Sequence, residues 1–222
     1  LYRLGDQEAA FAGAKQLWLI DESQSSGCDW IFARWRSSDS YDDEYLWQRF
    51  ILARRAGESA LARYLETAVR DADVLLRIQA YHKIRTEPEV LEEIQTFIEA
   101  GNQYSPVVAQ GLRNLAEEDL DLGLALWPVY QQSGVMTVED QAYAVSELLD
   151  QLYRQGRFAD ALELASATPD LVSANTISSN FTRAAAADDW HSAIAWLNLI
   201  PAAESQSEQW QYWRARSMDE LG

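Results

Sequence analysis

Apolar residues recur every three or four positions through almost the whole sequence, which is the spacing of an amphipathic helix. The alternation of apolar and polar residues that is typical of half-buried strands is missing. Only five prolines and ten glycines interrupt the 222 residues. The sequence therefore predicts an all-α fold. After a first helix that begins behind Asp6, the predicted helices cover residues 28–37, 42–56, 58–69, 72–84, 88–100, 106–117, 120–133, 138–155, 158–167, 174–187, 190–199 and 208–221.

Glycines stand at the ends of several predicted helices, namely Gly5, Gly57, Gly101, Gly156 and Gly222. A helix, a left-handed glycine cap and a second short helix form the hairpin unit of an α-solenoid. The glycines are unevenly spaced, so no strict repeat of about 34 residues is present. The prediction is an irregular right-handed α-superhelix of antiparallel helix hairpins, which forms one continuous domain over residues 1–222.

Two local features refine this prediction. The segment Tyr153–Ala165 is similar to a tetratricopeptide turn, because the small residues Ala161 and Ala165 stand where two helices approach closely. Pro128 falls inside predicted helix 120–133. Since proline removes a backbone hydrogen bond, a kink or a break is expected there.

Both ends of the chain indicate a piece of a longer polypeptide. The first residue is leucine rather than methionine, and Leu1–Gly5 has the pattern of a helix already under way. Gly222 is a C-cap glycine with nothing after it. We therefore expect further chain on both sides, with any signal peptide upstream of Leu1.

The charge balance excludes two classes of partner. The chain has 35 acidic and 18 basic residues, a net charge of −17, and a sequence pI near 4.4. A protein that neutralises nucleic-acid phosphates needs a basic face, and an anionic membrane surface repels an acidic chain. No stretch approaches the roughly 18 uncharged apolar residues of a membrane span. We predict neither a nucleic-acid partner nor a membrane span.

Catalytic and metal-binding patterns are weak. The two histidines, His82 and His191, are far apart and Cys28 is the only thiol, so a zinc site lacks ligands. The clustered carboxylates fall at helix starts or in polar connections, where they complement helix dipoles rather than forming an acid and base pair. Phosphate-binding loops and nucleophile elbows are missing. The sequence predicts no catalytic residue, no metal and no cofactor.

Two sets of residues remain as candidates. Cys28 is either a buried free thiol or the partner of a cysteine upstream of Leu1 in an oxidising compartment. Trp210, Tyr212 and Trp213 occupy two sides of the last predicted helix. We expect these aromatic residues either to pack against a neighbouring domain or to stack on a sugar ring.

Three segments carry a family resemblance. Glu8–Leu19 reads EAAFAGAKQLWL, Cys28–Arg36 reads CDWIFARWR after a serine-rich loop, and Trp210–Arg216 reads WQYWRAR. Together they resemble the helical part of the soluble lytic murein transglycosylases of Gram-negative bacteria. Residues 58–207 match this family only in helical character.

The resemblance implies a fold and an activity for the whole protein. In this family a long α-superhelix curls into a ring and carries a lysozyme-like catalytic domain near the C-terminus. That domain cleaves the MurNAc–GlcNAc bond of peptidoglycan without water, using one glutamate as acid and base, and leaves a 1,6-anhydro product. The catalytic Glu-Ser motif of the family has no match here. The resemblance therefore implies a non-catalytic scaffold, whose catalytic domain lies downstream.

The resemblance also implies a location and partners. It places the protein in the periplasm, with its own catalytic domain and, through the full-length protein, peptidoglycan glycan strands as partners. The family has a cysteine shortly upstream of the position of Leu1, which favours a disulfide for Cys28. The scaffold would support the catalytic domain and restrict glycan access. A net charge of −17 argues against tight binding of murein, whose peptide stems carry carboxylates.

An alternative function follows from the helix hairpins alone. A tetratricopeptide-like adaptor holds a partner helix or peptide on its concave face. The segment around Gly156–Ala165 supports this hypothesis, which predicts one defined protein partner and no murein-active domain in the same polypeptide.

Overall fold

The computed structural model describes residues 6–200 and 205–222. Every regular element in this part of the chain is helical, and it contains no strand, so the all-α prediction is confirmed. The α-helices are α1 (Gln7–Trp18), α2 (Asp29–Arg36), α3 (Glu44–Arg55), α4 (Ser59–Ala68), α5 (Ala72–Thr86), α6 (Ile94–Ala100), α7 (Ser105–Glu118), α8 (Leu120–Ser133), α9 (Val138–Arg154), α10 (Phe158–Ala167), α11 (Ala174–Ala186), α12 (Trp190–Asn198) and α13 (Glu208–Leu221). The helix predicted at Leu1–Gly5, with its cap Gly5, lies outside the described residues.

One predicted helix, 88–100, is divided in two. Pro88–Glu92 forms a 3₁₀ turn and α6 begins only at Ile94. The reason is tertiary: the hydroxyl of Tyr130, on α8, donates a 2.6 Å hydrogen bond to the carbonyl oxygen of Leu91. That carbonyl would otherwise accept from the next α-helical turn, so a distant side chain has replaced a local bond.

Helix α8 runs without interruption from Leu120 to Ser133, with Pro128 inside it. The break considered from the sequence is therefore absent from this helix. Trp127 and Tyr130, on either side of the proline, are almost completely buried. Packing on both sides of Pro128 stabilises the helix where its hydrogen bonding is weakest.

Two glycines end helices in the same way. Gly57 and Gly156 have φ angles of 82° and 73°, in the left-handed region that favours glycine. In each case the following amide reaches back five residues: Glu58 N donates to Ala53 O and Arg157 N donates to Leu152 O, both at 2.8 Å. These are Schellman caps, which confirm the prediction at both positions. Gly101 and Gly222 also have positive φ, as does Gly134, for which no cap was predicted.

The chain divides into two compact units, one up to His82 and one from Lys83. In the first unit α1 packs on α2 and α3 packs on α4; in the second, α7 packs on α8 and α9, α9 on α10, α11 on α12, and α12 on α13. Sequential packing of this kind is the helix-hairpin arrangement that was predicted. The single continuous domain over residues 1–222 stays a prediction.

The acidity is concentrated in the second unit. Residues 83–222 include 22 acidic and 8 basic residues, a net charge of −14, whereas residues 1–82 include 13 and 10, a net charge of −3. Among the described residues, no helix combines the length and the apolar character needed to cross a bilayer.

Candidate functional site

Two of the three segments that carry the family resemblance, Glu8–Leu19 and Cys28–Arg36, form the aromatic core of the first unit. The Trp18 ring lies 5.2 Å from Phe32 and 5.9 Å from Trp35, each in an edge-to-face arrangement. The indole Nε1 of Trp18 donates a 3.0 Å hydrogen bond to the carbonyl oxygen of Tyr45. The spacing between Glu8–Leu19 and Cys28–Arg36 thus has a packing role, because it brings these rings together where α1 meets α2.

At several helix starts, carboxylates have the structural role that the sequence predicts. Asp119 accepts from Leu122 N and Asp189 accepts from Ser192 N, both at 3.1 Å. The hydrogen bonds from Ser192 lower the pKa of Asp189 below its usual value. These side chains satisfy the free amides of the first helical turn, which is a capping role and not proton transfer.

Sequence reasoning missed one carboxylate with an unusual environment, Glu147 on α9. Burial raises the pKa of Glu147, while the Arg113 guanidinium, with Nε 3.0 Å from Oε2, acts in the opposite direction. Asp150, one turn further along, lies 2.7 Å from Arg154 and 3.8 Å from Arg183. Because guanidinium groups hold both carboxylates, the arrangement is an ion-pair network rather than an acid and base pair. No local signal in the sequence shows that Arg113, on α7, meets this turn of α9.

A cleft of about 530 Å³ adjoins this network in the second unit. We call it the aromatic cleft; its lining includes Asp150, Tyr153, Phe158, Arg183 and Asp189. The rings of Tyr153 and Phe158 lie 5.2 Å apart, and the Arg183 guanidinium lies 5.2 Å from the Tyr153 centroid. An open ring face beside charged groups can hold a sugar ring or an apolar side chain. Phe158 is the more accessible of the two rings, with 47% of its surface exposed against 9% for Tyr153.

The three predicted aromatic site residues lie on α13 and differ in exposure. Tyr212 is largely exposed, whereas Trp210 and Trp213 are half-buried. Trp213 packs against Phe181 of α11, with the ring centroids 5.2 Å apart, and Tyr212 stands at the same distance from Trp213 on the outer side. The structure therefore assigns Trp213 a packing contact within the second unit. A docking or glycan-stacking role for the three residues stays a prediction.

Cys28 is half-buried and is a free thiol among the described residues. It lies between a 3₁₀ turn, Ser26–Cys28, and the start of α2. Its pairing with an upstream cysteine stays a prediction. His82 Nε2 lies 3.1 Å from Glu66 Oε1, and no group of three or more metal-binding side chains occurs in the part of the chain that the structure describes.

Comparisons with known proteins agree with the resemblance. The chain is 24% identical over 228 residues to the soluble lytic murein transglycosylase of Escherichia coli K12, and 24% identical over 225 residues to that of Salmonella typhimurium LT2. The alignments cover 100% and 98% of this chain but 34% of each relative. The chain thus spans about a third of the length of the curated relatives it matches. No family model matches the chain.

Solved structures show the same relationship. The lytic transglycosylase Slt of Pseudomonas aeruginosa, solved as an inactive mutant, matches 99% of this chain with a TM-score of 0.71 at 25% identity. The 70-kDa soluble lytic transglycosylase in complex with bulgecin A matches the whole chain with a TM-score of 0.63 at 24% identity. Each alignment covers 36% of the solved chain. The homologues and structural neighbours of this chain are soluble lytic murein transglycosylases, and its fold is that of their helical part.

Proposed function

We propose that this chain is the non-catalytic helical scaffold of a periplasmic lytic transglycosylase. The complete enzyme would cleave the MurNAc–GlcNAc bond of peptidoglycan and leave 1,6-anhydro products. The scaffold would support a catalytic domain elsewhere in the same polypeptide and restrict which glycan strands reach it.

The observation that carries this proposal is the extent of the structural match. A TM-score of 0.71 over 99% of the chain, confined to about a third of the neighbour, is the pattern of one region of a larger enzyme. A tetratricopeptide-like adaptor is not favoured, because the alignments with the transglycosylases extend over 98–100% of this chain.

The carboxylates support a structural role for the chain. Proton transfer to a glycosidic oxygen needs a carboxyl group that is free to donate its proton. Burial raises the pKa of Glu147, but its carboxylate forms an ion pair with Arg113. The Asp150 carboxylate forms ion pairs with Arg154 and Arg183. Asp119 and Asp189 cap helices. These contacts favour a catalytic glutamate outside residues 1–222.

The charge distribution is consistent with a passive scaffold. The second unit, with a net charge of −14, would repel the carboxylates of murein peptide stems. Repulsion of this kind is expected of a scaffold that restricts the access of glycan strands, and not of a surface that binds them tightly.

The test compares two proteins on purified sacculi: residues 1–222 alone and the complete polypeptide that the gene encodes. The expected result is release of 1,6-anhydromuropeptides by the complete polypeptide and none by residues 1–222, with the Pseudomonas enzyme as the positive control. Circular dichroism establishes that residues 1–222 are folded in the assay. Release of anhydromuropeptides by residues 1–222, or an inactive complete polypeptide, would overturn the proposal.

A further inference from the structure

A cavity in the first unit has an arginine at its inner wall. Its volume is about 600 Å³, and it lies among α1, α2, α3, α4 and the loop after α1. Trp18, Phe32, Leu61 and Tyr64 form apolar and aromatic walls, while Arg36 and Arg49 supply positive charge. We call it the Arg49 cavity. None of its residues has a role in the proposed scaffold function.

Arg49 is buried, and no ion pair joins it to a carboxylate in the described part of the chain. Only 4% of its surface is exposed, and Nη2 donates a single hydrogen bond, 3.0 Å, to the carbonyl oxygen of Glu22. Nε has no hydrogen-bond partner, and Nη1 donates to no acceptor among the described residues. Burial lowers the pKa of Arg49, and the electrostatic effect of Tyr64 acts in the opposite direction. A buried guanidinium normally pairs with an anion, whereas Arg49, in the lining of the cavity, has donor groups that have no partner among the described residues.

The position of Arg49 is nevertheless well defined. Its guanidinium carbon lies 4.3 Å from the centroid of the Trp18 ring, which is a cation–π contact. Arg36 approaches the same ring at 5.6 Å. The two guanidinium groups are thus arranged around one indole, and both line the cavity. Trp18 itself is fixed by its hydrogen bond to Tyr45. The Arg49 guanidinium is a planar cation whose position is fixed, and such a group is suited to an acceptor with two oxygens.

We propose that the Arg49 cavity binds a monocarboxylate with an apolar or aromatic body, such as the C-terminal carboxylate of a peptide. The carboxylate would accept from Arg49 and Arg36, and the body would pack against Phe32, Leu61 and Tyr64.

The charge of the lining selects a monoanion. Two arginines and the exposed carboxylate of Asp29 line the cavity, a net charge of +1. One carboxylate neutralises this charge. A phosphate dianion carries more negative charge than the lining can neutralise, and it would also be repelled by the Asp29 carboxylate. The cavity also belongs to the unit with a net charge of only −3, where an anion meets less long-range repulsion than in the second unit.

The experiment is an NMR titration of the ¹⁵N-labelled 222-residue chain. The reporters are the indole Nε1–H of Trp18 and the Nε–H of Arg49. The probes are N-acetylphenylalanine, which mimics a peptide C-terminus; its neutral amide; 3-phenylpropionate, which lacks the peptide group; and inorganic phosphate. We expect saturable shifts of both reporters with the two carboxylates and none with the amide or phosphate. Tighter binding of N-acetylphenylalanine than of 3-phenylpropionate assigns the site to a peptide C-terminus, and the reverse order assigns it to a free acid.

Variants separate the cavity from general charge effects. Arg36→Gln removes one guanidinium from the rim and should weaken binding about tenfold, the effect expected for one charge-assisted hydrogen bond. Arg63→Gln, on the exposed side of α4, makes the same charge change outside the cavity and should leave the affinity unchanged. Arg49→Met should abolish binding. If that substitution unfolds the chain, the comparison of the affinities of Arg36→Gln and Arg63→Gln still tests the proposal. Equal affinities for these two variants, equal shifts with the acid and its amide, or binding of phosphate alone would overturn the proposal.

Discussion

The indole Nε1 of Trp18 donates a 3.0 Å hydrogen bond to the carbonyl oxygen of Tyr45 and thereby joins α1 to the first turn of α3. The two residues are 27 positions apart. Because Trp18 also contacts Phe32, Trp35 and the Arg49 guanidinium, this single bond orients the ring on which the core of the first unit is built.

Trp18→Phe should destabilise the chain by about 1–3 kcal/mol. Phenylalanine keeps an aromatic ring, but it loses the hydrogen bond to Tyr45 and leaves a small void. Urea denaturation measures the change in the free energy of unfolding. Trp30→Phe is the matched control; Trp30 is 46% exposed, so a change within about 0.5 kcal/mol is expected. A similar loss for both variants would contradict the central role of Trp18.

Gly111→Ala should destabilise the second unit although alanine is the better helix former. A Cβ at Gly111 would lie 2.6 Å from Ile84 Cγ1 and 2.7 Å from Leu91 Cδ1. Overpacking of this kind costs about 1–3 kcal/mol. Gly13→Ala in α1 meets nothing within 4 Å and should stabilise by up to about 1 kcal/mol through helix propensity. Thermal unfolding of the two variants should therefore shift in opposite directions, and a shift in the same direction contradicts this account of Gly111.

Tyr130→Phe should cost about 1–3 kcal/mol at neutral pH. It removes the hydroxyl that donates to Leu91 O and leaves a buried carbonyl unsatisfied. Burial also raises the pKa of Tyr130, so its folded state resists ionisation. The stabilising contribution is complete below the unfolded pKa, about 10, and is lost as the pH rises toward the higher folded value.

Denaturation at pH 7 and above pH 10 tests both parts of the Tyr130 prediction. The difference between wild type and Tyr130→Phe should decrease at high pH. Tyr212→Phe, at a side chain that is 62% exposed, should match wild type at pH 7. A constant difference across this pH range would show that ionisation of Tyr130 is not linked to unfolding.

Asp189→Ala should destabilise α12 by about 1 kcal/mol at pH 7, because Asp189 caps the helix through Ser192 N. The hydrogen bonds from Ser192 lower the pKa of Asp189 in the folded state. Its contribution is therefore present above the unfolded pKa, about 4, and is lost as the pH falls through the lower folded value. Unfolding measured between pH 7 and pH 2 should show the difference from wild type shrinking at the acid end. Glu163→Ala, an exposed carboxylate within α10, serves as the control and should change stability by less than about 0.5 kcal/mol.

Local chemistry made the helices predictable. Asp6 and Asp189 cap their helices as expected, and Gly57 and Gly156 end theirs with positive φ, because these effects involve residues within one turn of each other. The division of residues 88–100 was not predictable in this way. It depends on Tyr130, which is 39 residues from Leu91 along the chain.

The same distinction between local effects and contacts distant in sequence applies to the candidate sites. The aromatic residues of the last helix could be singled out from the sequence, but the packing of Trp213 on Phe181 required α11 and α13 to be placed together. Neither the contact of Arg113 with Glu147 nor the cavity around Arg49 has a local sequence signal. Both depend on which faces of distant helices meet.

The sequence by itself determined that the chain is helical, where most helices begin and end, that it is strongly acidic, and that Trp18 and Cys28 lie in segments resembling lytic transglycosylases. Helix periodicity and helix caps depend on residues that are close together in the sequence, and net charge depends on composition, so all three can be predicted from the sequence. Only the tertiary structure decided that the acidity belongs mainly to the unit from Lys83 onward and that Arg49 is buried on an indole beside an open cavity. Burial and pairing of a charge depend on side chains that converge from separate helices, and a linear pattern does not contain that convergence.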